Sequence, residues 1–222
     1  MIIAHPDLNQ KIEINRKCIS EWIIESPELF SSYLTEIEAQ SNGAEGKFIL
    51  SENEKILNWS KCATVIFNPI ALSTNDKKVI SKIYGELQEI AISENCYIKT
   101  KEIISMLQQY LLELEYHFDL NLSINDDVDL QGLFKLFGIK VAEDSPSLFE
   151  QLLQYIKIQN LLLGKKLVII VNVRSFFTEE QLSELFAFTI YNEIGLLLIE
   201  SFQKDFTNST KKYIIDKDKC EI

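Results

Sequence analysis

Two stretches in the last third of the chain are apolar without alternation: Leu167-Val168-Ile169-Ile170-Val171 and Ile194-Gly195-Leu196-Leu197-Leu198-Ile199. A strand with one wet face alternates apolar and polar residues, so unbroken runs belong to strands covered on both faces. Between the two runs, Thr178-Glu179-Glu180-Gln181 has the pattern of a capping box. Leu182, Leu185, Phe186 and Ile190 then recur at helical spacing. A helix between two doubly covered strands predicts a parallel βαβ crossover.

Upstream, Leu8–Ile14 and Ile19–Glu25 read as short strands. Ser26-Pro27 supplies a cap and a first-position proline for a helix with Leu29, Phe30, Tyr33, Leu34 and Ile37 on one face, ended by Ser41-Asn42-Gly43. Lys47–Leu50 and Lys55–Leu57 predict a hairpin, and Ala63–Phe67 a buried strand stopped by Asn68-Pro69. From Ser73 to Phe118 the apolar period becomes helical. Val79, Ile80, Ile83, Tyr84, Leu87, Ile90 and Ala91 mark one helix; Ile103, Ile104, Leu107, Leu111, Leu114 and Phe118 mark a second. Joined by Ser93–Lys99, they predict an antiparallel helical hairpin inserted between two strands of the sheet. Leu130, Leu133, Phe134 and Phe137 predict a short helix closed by Gly138. The next helix should take Ser145 as cap, Pro146 at its first position and Gly164 past its end. Tyr213-Ile214-Ile215 reads as the last strand. The expected fold is α/β, a mostly parallel sheet with an inserted α-helical leg: a head of residues 1–72 and 139–222, and a leg of residues 73–138.

Sheets of this kind usually carry nucleotides, yet the loop Asn172-Val173-Arg174-Ser175-Phe176-Phe177 holds no glycine against which a phosphate could nestle. No G-x-x-x-x-G-K followed by Ser or Thr occurs among the seven glycines. Gly164-Lys165-Lys166 precedes a strand, so its amides sit at the wrong end, and it reads as a helix C-cap followed by two solvated lysines. The core is therefore expected to be degenerate and P-loop-NTPase-like, without a Walker A loop. His5, in a terminal segment, and His117, beside an apolar helical stripe, are the only histidines, too few for a triad or a histidine metal cluster. Cys18, Cys62, Cys96 and Cys220 form no C-x-x-C pair and read as reduced thiols of a cytoplasmic protein. No run reaches the roughly 18 apolar residues of a membrane span, and the first residues lack the pattern of a signal peptide.

The net charge of −11, from 33 acidic and 22 basic residues, works against nucleic-acid binding by a single subunit. An oligomer can gather a minority of lysines on one inner surface. Only Arg16 and Arg174 are arginines; lysine suits phosphates, whereas base-edge reading wants the bidentate guanidinium. DNA binding, if present, should show little sequence preference. Glu113, Glu115, Asp119, Asn121, Asn125, Asp126, Asp127 and Asp129 crowd the end of the second long helix and the loop after it. Carboxylates there oppose the helix dipole, a local cost that calcium or magnesium would offset. The alternative is a solvated acidic loop whose Asp126 or Asp127 caps the next helix.

Several of these segments resemble the Csn-two family of CRISPR-associated adaptation proteins of type II-A systems, in its short form. The likeness is carried by Leu133-Phe134-Lys135-Leu136-Phe137-Gly138-Ile139-Lys140-Val141, by Gly164–Asn172, by the Phe177–Leu182 helix start and by Tyr213–Asp218, with Leu8–Ile14 and Phe30-Ser31 in the same order. The resemblance implies a homotetrameric ring with an α/β head and a helical leg that threads double-stranded DNA, from free ends, through a lysine-lined hole. Such a ring supports spacer acquisition in antiviral defense alongside the integrase proteins and the RNA-guided nuclease, and is not itself an enzyme. It implies Lys135 and Lys140 as phosphate-facing groups; Lys77, Lys78 and Lys82 join them from charge clustering alone. It also implies calcium, with Asp119, Asn121, Asp126 and Asp127 as ligands and Glu113 and Glu115 as helix contributions. The sequence departs from the family pattern where Phe118, Ser123 and Gly132 replace acids. A nucleotide-dependent enzyme with an atypical phosphate site and an acidic scaffold protein are the other readings.

Overall fold

The computed structural model describes residues 1–222 except 118–119, 121, 126, 144–146 and 204–209. In chain order the first elements are β1 (Ile2–Ala4), β2 (Ile12–Glu13), β3 (Ile19–Ile24), α1 (Pro27–Ser41), β4 (Ile49–Glu52), β5 (Lys55–Leu57), α2 (Trp59–Cys62) and β6 (Ala63–Ile66). The helices α3 (Lys77–Ala91), α4 (Tyr97–Glu115) and α5 (Leu130–Leu136) follow. Then come α6 (Leu148–Leu161), β7 (Leu167–Val171), α7 (Glu179–Tyr191), β8 (Gly195–Glu200) and β9 (Thr210–Ile215). The chain divides into two compact units, Met1–Thr74 with Asp144–Ile222, and Asn75–Glu143.

In the first unit, five parallel strands run in the order β6-β7-β8-β3-β9. Every residue of β7 and β8 is buried, as two-sided coverage requires. Leu167, Ile169, Val171, Leu197, Ile199, Trp22 and Ile24 share one core with Tyr33, Leu34 and Ile37 of α1 and Leu50 of β4. Val168, Ile170, Leu196 and Leu198 point into a second core, with Phe149, Leu152 and Ile156 of α6 and Leu182, Leu185 and Phe186 of α7. The predicted βαβ crossover is present, and the Thr178 box is formed: its hydroxyl accepts from Gln181 N at 3.3 Å, and the Gln181 side chain accepts from Thr178 N at 3.0 Å.

Several local expectations change. The Leu8–Ile14 strand shrinks to Ile12–Glu13, which flanks β1 in a small antiparallel sheet of order β2-β1-β4-β5. The predicted hairpin turns at Asn53 and Glu54, both left-handed, with φ of 50° and 64°. Ser26 sits at the α1 N-cap but makes no side-chain capping bond. Ser147 caps α6 through a reciprocal box with Glu150, two positions after the expected cap; Ser145 and Pro146 lie outside the described residues. Lys165 is only partly exposed: its Nζ donates to Ser60 O at 2.5 Å and Ala63 O at 2.9 Å, holding carbonyls at the α2 C-terminus. His5 is buried against the rings of Tyr33 and Phe48, with Nε2 3.3 Å from Glu36 Oε2.

The sheet also buries charge, in the middle of β3 and at the carboxyl ends of β7 and β8. Glu21 of β3 and Glu200 at the end of β8 are fully buried, and Arg174, in the one-turn 3-10 helix Val173–Ser175 after β7, is nearly so. Arg174 Nη2 lies 2.7 Å from Glu21 Oε1, and its backbone N–H donates to Glu200 Oε1 at 3.3 Å. Asn172 adopts a left-handed φ of 50°, and its Oδ1 accepts from both Ser201 N and Ser201 Oγ at 3.0 Å. Burial pushes the Glu21 carboxyl above its ordinary pKa range, against the opposing pull of Arg174 and Lys212. The folded chain therefore holds this proton more tightly than the unfolded chain does. Its contribution to stability is full below the ordinary carboxyl pKa and is lost as pH rises through the raised one.

Replacing Arg174 by Met strands buried carboxylates, and the expected loss is about 3–5 kcal/mol in urea unfolding at neutral pH; an unchanged midpoint would show that the guanidinium does not compensate them. Glu21→Gln should flatten the fall in stability as pH rises above the ordinary carboxyl range, measured as unfolding midpoints along that rise. A slope identical to that of the parent would remove Glu21 as its source.

Candidate nucleic-acid interface

The lysines singled out in the sequence all belong to the second unit, where three short elements organise them. Asp76 caps α3: its Oδ1 accepts from Lys78 N at 2.8 Å and Val79 N at 2.9 Å. Asp129, rather than Asp126 or Asp127, caps α5, accepting from Gln131 N at 3.0 Å. The two helices pack through Tyr84 and Phe134, whose ring centroids lie 6.2 Å apart, and through Gln131 Nε2, which donates to Gln88 Oε1 at 2.6 Å. Beyond α5, Asn75 bridges to Val141 at two points: Val141 N donates to Asn75 Oδ1 at 2.8 Å, and Asn75 Nδ2 donates to Val141 O at 3.0 Å. The pairs 88–131, 84–134 and 75–141 descend in step, so α5 and the strand-like segment after it run antiparallel to α3.

That geometry sorts the lysines. Lys77, Lys78, Lys82, Lys135 and Lys140 are all exposed. The Asn75–Val141 bridge brings Lys140 beside the start of α3, where Lys77 stands. At about 3.6 residues per turn, Lys77 shares the side of α3 that carries Tyr84 and Gln88 toward α5, whereas Lys78 lies roughly a quarter turn from it and Lys82 further round. Lys82 also pairs with Glu86 at 3.5 Å, an exposed i,i+4 contact. All five lysines thus stand exposed on the helical unit, with Lys140 and Lys77 at the same end of α3. Among the described residues, Lys77, Lys135 and Lys140 have no ion-pair partner.

Both arginines are spoken for. Arg16 Nη2 lies 2.7 Å from Glu52 Oε1, and Arg174 is buried against Glu21. Neither offers the free planar fork that reads guanine edges.

The acidic residues are less gathered than the lysines. Glu113 and Glu115 lie two apart on α4, where side chains do not face one another. Glu113 Oε1 accepts from Gln109 Nε2 at 3.2 Å, and Glu115 Oε1 accepts from Leu122 N at 2.7 Å. Asp127 is exposed, and Asp119, Asn121 and Asp126 lie outside the described residues. Among the described residues no three His, Cys, Asp or Glu side chains form a group that could hold a metal ion, so those present do not by themselves make a calcium shell.

Two features are not legible in the sequence. Asn75 gives only a weak signal, a polar residue ahead of an Asp cap. The apolar stripe of α4 predicts packing within a hairpin, yet α4 buries none of its residues. Ile103, Leu107, Leu111 and Leu114 are each more than two-fifths exposed, and Met106 is 67% exposed.

The fold defines a class: an α/β protein whose helical insertion carries exposed lysines and whose two arginines are both paired. The family model for the CRISPR-associated protein (Cas_Csn2) matches residues 40–219, and the chain belongs to that family. CRISPR-associated protein Csn2 of Enterococcus faecalis is 27% identical over 158 residues, covering 69% of this chain and 68% of that protein. Csn2 of Streptococcus agalactiae is 23% identical over 158 residues, covering 67% of this chain and 66% of that protein. The matched stretch thus spans about two thirds of each relative. The crystal structure of Stu0660 of Streptococcus thermophilus shares the fold, with a TM-score of 0.59 and 16% identity over 97% of this chain and 74% of that one. Among the described residues, no helix is long and apolar enough to cross a membrane.

Asn75→Ala removes both bonds to Val141 and should release the Lys140 segment. Hydrogen exchange at the Val141 amide is expected to accelerate, with a stability loss of about 1–3 kcal/mol. Unchanged protection would mean that the bridge does not hold the segment.

Proposed function

We propose that the protein is a non-enzymatic, sequence-independent binder of double-stranded DNA, acting from free ends as a homotetrameric ring in CRISPR spacer acquisition. The observation that carries this reading is the set of exposed lysines on the helical unit, Lys77, Lys135 and Lys140 among them, in a Csn2-family chain whose two arginines are both engaged elsewhere. Phosphate contacts without base-edge contacts give affinity without sequence preference. The net charge of −11 is reconciled with this role if copies act together: several subunits multiply a local set of lysines while acids remain outside. The unburied apolar stripe of α4 supports such an assembly, since exposed contiguous apolar surface marks interaction sites. Its partners in this role are the CRISPR integrase proteins and the type II RNA-guided nuclease.

A degenerate P-loop-like core is part of this proposal, and three features of the head support it. The first strand of the parallel sheet, β3, lies between the last two, β8 and β9, so a ligand crevice is expected at the carboxyl ends of β3 and β8. The link from β3 to α1 is only Glu25-Ser26 followed by Pro27. A carboxylate and a residue without an N–H stand where a phosphate would need amide donors. The buried Arg174–Glu21 pair and Glu200 take up the neighbouring space. These features weigh against a nucleotide-dependent enzyme, and calorimetric titration with ATP and magnesium should give no appreciable heat.

Calcium enters the proposal as a stabiliser of the assembly, on the strength of the family resemblance and the carboxylate-rich sequence at and after the end of α4. A ligand that prefers the assembled state stabilises it by mass action. Chelation should therefore reduce the mass in solution or the melting temperature; identical profiles would remove calcium from the reading.

Mobility shifts at low salt should retard linear duplex, with affinity falling steeply as salt rises. The double variant Lys135→Glu, Lys140→Glu should bind more weakly, with its log–log salt slope shallower by about one for each phosphate that is no longer neutralised. Linear duplex that does not shift at low salt would sink the proposal.

A further inference from the structure

Between the two family-type lysines lies a pair of large apolar side chains that the fold turns outward. Leu136 is 80% exposed and Phe137 is 75% exposed, flanked in sequence by Lys135 and Lys140. Their exposure is built in. Gly138, at φ +61°, closes α5: its N–H donates to Lys135 O at 3.0 Å, and Ile139 N–H donates to Phe134 O at 3.2 Å. These two bonds form a Schellman motif, which fixes the backbone on both sides of Phe137. Phe134 is turned inward against Tyr84, and Val141 is pinned by Asn75. The ring of Phe137 is thus held out from a short, doubly anchored turn, with the exposed Lys135 and Lys140 close to it in sequence.

An exposed aromatic ring set between lysines in the sequence suits a surface that is both anionic and flat-faced. A nucleic acid offers that combination, with phosphates for the lysines and a base face for the ring. Within a duplex the base faces are covered by their neighbours, and a side chain enters only by unstacking a step and kinking the helix. The last base pair of a duplex presents one face already open.

We propose that Phe137, backed by Leu136, stacks on the terminal base pair of duplex DNA while Lys135 and Lys140 hold the adjoining phosphates. This inference rests on the duplex-binding reading above and adds to it the group that would recognise an end.

The test uses the full chain, a short linear duplex carrying 2-aminopurine either in the last base pair or in the middle, and the variants Phe137→Ala and Phe137→Trp. On binding of the parent protein, the terminal probe should change its fluorescence and the internal probe should not. Phe137→Ala should lose the terminal signal and about tenfold in affinity, and Phe137→Trp should retain both. Parent-like affinity and signal in Phe137→Ala would overturn the inference, as would a response confined to the internal probe. An altered mass in solution for Phe137→Ala would assign the ring to an interface between copies and overturn it as well. If the parent protein fails to bind either duplex, the DNA reading itself falls and takes this inference with it. Duplex binding that survives Phe137→Ala unchanged removes the stacking interaction alone.

Discussion

Two-sided coverage of the parallel sheet is the constraint on which the rest of the head depends. β7 and β8 have no polar face to give to water, so each face of the sheet needs its own apolar layer. One is supplied by α1 and the small antiparallel sheet, the other by α6 and α7. Burial of this kind is the dominant favourable term in folding, and it explains why the crossover helix and the two strands it joins are so regular. It also explains the cost accepted at Glu21, Glu200 and Arg174. Once strands this apolar are sealed on both sides, a charge among them can persist only beside an opposite charge.

The helical unit obeys a different balance. Its cohesion comes from a few specific contacts: the Tyr84–Phe134 rings, the Gln88–Gln131 bond, and the Asn75–Val141 bridge. The long helix α4 keeps its apolar stripe in the open. Such a unit is poorly supplied with core of its own and well supplied with surface for others. Charges follow the same division. The arginines are drawn into pairs in the head, and exposed lysines stand on the insertion.

Legibility in the sequence tracks the range of the interaction. The capping box at Thr178 and the unbroken runs of β7 and β8 are local patterns, and they are legible because a few neighbouring residues determine them. Polar residues between Leu50 and Lys55 suffice to predict a hairpin, although its two left-handed positions carry no glycine. Lys165 departs from its expected solvation because its acceptors, Ser60 O and Ala63 O, lie about a hundred residues away. The same holds for Arg174, whose partner Glu21 is a lone acid in an apolar strand and gives no local hint of a pair. For α4 the helical period is plain, but period alone does not say what covers the stripe.

By itself, then, the sequence determined the types of its main elements, the apolar faces they must cover, and a cationic set dominated by lysine. Those follow from side-chain chemistry and from spacing along one strand or one turn. Only the tertiary structure decided which charges are buried as pairs, that the Lys140 segment lies beside the start of α3, and that Leu136 and Phe137 face outward. Each of these depends on backbone hydrogen bonds or packing between segments brought together from distant parts of the chain, or on a turn geometry that composition does not specify.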